Sequence, residues 1–127
     1  GHAGSMSTIH ANSPEDALRR LETCALLGGV EIPLRALRAQ VVSGVDAVIH
    51  TARLSDGSRK IVSISEVVGM EGDTITLQDI FVYRPSMGET GNGGPMRGSF
   101  VSTGIRPGFV EKLAANGVMI RNEWFQN

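Results

Sequence analysis

Cys24 is the only thiol in the 127-residue chain, so no internal disulfide can form and a reducing compartment is the simplest setting. It reads as a small buried hydrophobe. No apolar run approaches the roughly 18 residues that a membrane span needs. The first residues also lack the charged and apolar regions of a secretion signal, and the expected location is the cytoplasm. Net charge is nearly absent: twelve basic residues against thirteen acidic give −1, which favours neither nucleic acid nor an acidic membrane as partner. A phosphate-binding loop is missing too. That loop needs a glycine-rich turn ending in a lysine that reaches the terminal phosphates, whereas Lys60 follows Arg59 and Lys112 follows Glu111. Nor does an apolar run end in an acidic pair able to hold Mg²⁺. The chain by itself therefore lacks the groups that make phosphoryl transfer fast.

What is present is an ordinary domain composition, 41% hydrophobic and 20% charged, in a chain long enough to bury a core. Ser5 to Ile9 are small or β-branched, with no acid or base among them, and suit a short strand covered on both faces. Ser13-Pro14-Glu15-Asp16 is a dense helix start: an N-cap serine, a proline at the first helical position, and two acids at the positive end of the dipole. The helix should run to about Leu27, with Ala17, Leu18, Leu21, Cys24, Ala25 and Gly28 inward and Arg19, Arg20, Glu22 and Thr23 elsewhere. Gly28-Gly29 ends it. A second helix is expected from Pro33 to about Ser43, with Leu34, Leu37 and Val41 on one side.

The period then changes to that of strands. Ala47–Leu54 is followed by the turn signal Ser55-Asp56-Gly57-Ser58, then by strands over Arg59–Val68 and Thr74–Tyr83 with a break at residues 69–73. In the last of these, alternation puts Ile75, Leu77, Asp79, Phe81 and Tyr83 on one face and Thr74, Thr76, Gln78, Ile80 and Val82 on the other. Short turns between the three make an antiparallel meander added after an α/β beginning. Residues 84–98, with five glycines and two prolines, read as a flexible excursion. Ser99–Thr103 is a short strand, Pro107 to about Asn116 a last helix with Phe109, Val110 and Leu113 inward. Trp124 and Phe125 either pin the tail to the body or fill a partner's pocket.

Two of the three histidines, His2 and His10, precede the first helix. At the carboxyl end of a sheet strand an imidazole can meet a ligand, and this is the functional reading of His10; the structural one is a histidine satisfied inside a strand-to-helix turn. His50, in an apolar strand, reads as structural. A zinc site from His2, His10, His50 and Cys24 has no tightly spaced ligand pair, and Cys24 as a nucleophile with a distant histidine as base is no better supported. Glu66, Glu71, Asp73 and Asp79 read as a solvated acidic edge.

Residues 1–13 resemble the histidine box of the type II/type IV secretion ATPases, in particular the CpaF-like ATPases of tight-adherence (Flp/Tad) pilus assembly. The likeness continues through Ser13–Thr23, Glu31–Arg38, Arg53–Lys60, Glu66–Asp73 and Thr103–Pro107, and omits residues 85–97. The resemblance implies an α/β fold, the C-terminal portion of a RecA-like P-loop ATPase domain, with an added antiparallel meander and C-terminal helices. It implies a cytoplasmic hexameric motor, peripheral to the inner membrane through pilus or secretion platform proteins and binding no nucleic acid. ATP and Mg²⁺ would be bound in the full-length protein, with neither held tightly by this chain. Catalytic roles would fall to His10 and His2 and nucleotide contacts to His10 and Thr8, with His10 sensing the γ-phosphate. The phosphate-binding loop, the acidic magnesium box and an N-terminal domain would then precede Gly1, consistent with a chain that opens without a methionine; a tag remnant would account equally for Gly1-His2. The alternative, from a different class, is a stand-alone interaction module that binds a secretion platform or motor ring without nucleotide.

Overall fold

A computed structural model of the protein describes residues 4–86 and 98–127. His2 and most of the glycine-rich excursion lie outside them. The elements are α1 (Pro14–Leu27), α2 (Leu34–Gly44), β1 (Ala47–Arg53), β2 (Arg59–Glu71), β3 (Thr74–Pro85), β4 (Gly98–Ser102) and α3 (Phe109–Ala115), followed by a 3-10 turn at Asn122–Phe125. The four strands form one antiparallel sheet in the order β1-β2-β3-β4, so the expected meander gains β4 as a further hairpin strand. The break expected at residues 69–73 is shorter than that. β2 pairs through Glu71↔Thr74, leaving only Gly72 and Asp73 to reverse the chain, and Gly72 takes φ +61°, where a side chain would be strained.

Helices cover the two faces unequally. On one face Leu18 of α1 and Val41 of α2 pack on Val67, joined by Val48, Ile75 and Leu77. On the other, Val110 of α3 and Phe125 of the tail pack on Ile80, with Phe81 and Ile120 against them. Phe125 thus pins the tail, its ring centroid 5.8 Å from that of Phe81, while Trp124 is exposed.

That second cluster corrects the strict alternation expected for β3. The pairing runs Ile64↔Phe81 and then Ser65↔Asp79, so Ile80 is an extra residue, a β-bulge. A bulge shifts side-chain parity by one. Ile75 and Leu77 therefore face α1 and α2, whereas Phe81 joins Ile80 beneath α3. On β2 Val68 is likewise an extra residue opposite β3, and Val62 one opposite β1.

Ser5–Ile9, expected as a covered strand, forms no strand and is exposed throughout; strand residues hold their conformation only by pairing, and no described strand lies alongside them. In α1 the buried residues are Pro14, Ala17, Leu18 and Glu22. Leu21 and Cys24, placed inward by periodicity, are exposed. The helical stripe is continuous, but the sheet beneath covers only its N-terminal half, so the last turns overhang.

Candidate functional site

Ser13 sits in extended backbone, and its hydroxyl accepts from Asp16 N at 3.0 Å. The Asp16 carboxylate reaches back to accept from Asn12 N at 3.0 Å and meets Arg20 Nε at 3.3 Å. This is a reciprocal cap displaced one residue upstream of its usual form. The Asn12 N–H, assisted by Arg20, holds the Asp16 carboxyl below its ordinary value. Together these bonds fix the chain at Asn12, and His10 lies two residues before it.

His10 is exposed, as is Thr8. Among the described residues neither makes a hydrogen bond or ion pair. Both readings of His10 placed it after a strand over Ser5–Ile9; no strand forms there, and His10 stands in exposed chain outside any helix or strand rather than at a strand end or inside a strand-to-helix turn. His50 faces the helices from β1, half-buried and opposite Ser63. Cys24 is three turns along α1, roughly 15 Å from the cap, so His10 and Cys24 cannot share a ligand. No group of three or more metal-ligating side chains occurs among the described residues, and no helix there is long and apolar enough to cross a membrane.

Two buried acids carry structure that their sequence positions conceal. Glu22 is 8% exposed and accepts from Arg38 Nε at 2.8 Å, while Arg38 NH1 donates to Asp73 O at 2.9 Å. One guanidinium therefore ties α1, α2 and the β2–β3 turn together. Glu22 and Arg38 line a groove of about 260 Å³ with Glu15, Leu18, Arg19, Thr74, Ile75 and Leu77. His10 is not among its lining residues, and Glu22 and Arg38 there are already paired with each other. Glu66, expected on a solvated edge, is 6% exposed. Its carboxyl accepts from Gln78 Nε2 and from Phe109 N, each at 2.9 Å. Phe109 is the first residue of α3, whose cap position Gly108 offers no side chain, so Glu66 supplies the missing acceptor from the sheet. The signal that could have revealed it is an acid inside a run of strand residues, with glutamine at the matching position of the next strand. Glu71, Asp73 and Asp79 are exposed as expected.

No family model matches the chain. Over 72 residues, 57% of its length, it is 35% identical to two proteins of Mycobacterium tuberculosis, from strains CDC 1551 / Oshkosh and ATCC 25618 / H37Rv, each carrying the name "Putative conjugal transfer protein". The match covers 20% of each relative, so the chain spans about a fifth of the length of the curated relatives it matches.

Proposed function

We propose that this chain is the C-terminal part of a RecA-like secretion ATPase, a hexameric motor of the CpaF-like group that couples ATP hydrolysis to pilin or protein export through inner-membrane platform proteins. The observation that carries the reading is the free, exposed imidazole of His10 held just ahead of a locked helix start. A histidine so placed can donate to a γ-phosphate presented by other parts of the motor and transmit its loss to α1 through the Ser13–Asp16 cap. Thr8, on the same exposed segment, adds a hydroxyl. The similarity to proteins named for conjugal transfer supports a role in moving macromolecules across the envelope. In this reading ATP and Mg²⁺ are held by a phosphate-binding loop and acidic box elsewhere in the motor, and His2 assists His10.

The reading is tested in the longer protein by His10→Ala. One hydrogen bond to a phosphate oxygen in the transition state is worth about 2–3 kcal/mol, so kcat should fall by roughly 30–160-fold while ATP affinity changes little. Equal losses in hydrolysis and binding would assign His10 to folding instead. A second reading, an interaction module that binds a platform or motor ring without nucleotide, draws on the apolar side chains left exposed, Leu27 and Met119 among them. Absence of ATP hydrolysis by the longer protein, with binding to a platform protein retained, would favour it.

A further inference from the structure

The face of the sheet beneath α3 is only partly covered. Glu66, Gln78 and Ile80 lie under α3, but among the described residues no helix covers the corner formed by β1 and the start of β2. An unbroken cross-strand row runs there from Ile49 to Ile64 to Phe81, and its β1 end is open, with Ile49 59% exposed and Ile61 on the neighbouring strand 44% exposed. Next along the same face, Arg53 and Arg59 are direct cross-strand partners. Side chains opposed in this way have Cβ atoms about 5 Å apart, and like charges there destabilise the pair.

Among the described residues no acid forms an ion pair with either arginine. Arg20, Arg35, Arg38, Arg106, Lys112 and Arg121 each have an acidic partner. Among the described residues Arg53 and Arg59 have none, and neither do Lys60 and Arg84, which stand at the same end of the sheet. Asp56, in the turn between Arg53 and Arg59, accepts from Ser58 N and Ser58 Oγ and makes a further interaction besides. A protein of net charge −1 thus places two opposed, unneutralised arginines beside exposed isoleucines, a combination that is costly in isolation and complementary to a ligand carrying carboxylates next to an aliphatic side chain.

We propose that this corner is a docking surface for an extended acidic segment of a partner protein, its apolar side chains on Ile49 and Ile61 and its carboxylates on Arg53 and Arg59. The shape argues against a membrane: α3 stands on the same face by about the 10 Å thickness of a helix, so a flat bilayer would meet it before reaching Ile49. The chemistry argues against nucleic acid, because isoleucines give bases no ring to stack on. None of this depends on a role for His10.

The test is fluorescence anisotropy of the 127-residue chain with a short labelled peptide alternating glutamate and valine. Parallel arms use the same peptide with serine for valine, oligothymidine, and vesicles of phosphatidylserine and phosphatidylcholine. The glutamate–valine peptide should bind, and the serine version at least about tenfold more weakly. Arg53→Glu should abolish binding while leaving the melting temperature unchanged or higher, since it gives Arg59 an opposite charge; Arg59→Gln should weaken binding, and Ile49→Ser should remove the preference for valine. Failure of the peptide to bind, or binding indifferent to Arg53→Glu, overturns the proposal. So does tighter binding to oligothymidine or vesicles, or self-association by sedimentation that Arg53→Glu abolishes, which would make the occupant a second copy.

Discussion

Replacing Glu66 by alanine should release α3 from the sheet. Truncation leaves the Gln78 amide and the Phe109 N–H, both now bonded at 2.9 Å, without an acceptor in a half-buried setting. Each orphaned donor costs about 1 kcal/mol there, and the lost methylenes add about 1 kcal/mol more. Relief of a buried carboxyl's desolvation offsets part of this, so a destabilisation of about 2–3 kcal/mol is expected. For a chain of this length that lowers the melting temperature by about 10 °C. Glu66→Gln keeps one acceptor and the volume, and should cost about half as much. Urea denaturation supplies the free energies, and amide exchange at Val110 and Glu111 locates them, because α3 should open well before the sheet. A loss below about 0.5 kcal/mol in Glu66→Ala, or α3 exchange unchanged, would refute the assignment of Glu66 as the helix's acceptor.

Arg38→Ala should destabilise by about 3 kcal/mol, since it strands Glu22, whose side chain is only 10% exposed, without its partner. The double replacement Arg38→Met with Glu22→Leu should recover most of that loss in the same urea assay, as apolar pairs commonly match buried ion pairs. The cap ahead of α1 should be sensitive to acid. Because the Asp16 carboxyl is held below its ordinary 3.8, its contribution is complete above that value and is lost as pH falls through the lowered folded value. Protection of the Asn12 and Ala17 amides, measured against their intrinsic exchange rates, should fall on acidification below about pH 4, and Asp16→Asn should show the lowered protection already at neutral pH.

Elements with local, redundant signals are legible in the amino-acid sequence alone. The Ser13-Pro14-Glu15-Asp16 start marks the first residue of α1, and the turn signals at Ser55–Ser58 and around Gly72 define the meander. What escapes such reading depends on tertiary context. A bulge such as that at Ile80 adds one residue without changing composition, so the face of Phe81 cannot be read from alternation. The exposure of Cys24 and Leu21 follows from where the sheet ends beneath α1, not from the helix's own pattern. Glu66 looks like any exposed strand acid because its partner Phe109 lies 43 residues away. At the candidate site, the prominence of His10 comes from position and resemblance; its exposure, and the cap that fixes its neighbour Asn12, come from the structure. The RecA-like reading of the fold is a proposal, and the antiparallel sheet with its flanking helices is common to both functional readings.

The most direct measurement follows the His10 imidazole itself. In the longer protein, histidine ring resonances assigned with His10→Gln should differ between a complex with a non-hydrolysable ATP analogue and one with ADP, and the Ser13–Asp16 amides at the head of α1 should shift with them. A ring that responds identically to both nucleotides would contradict γ-phosphate sensing by His10.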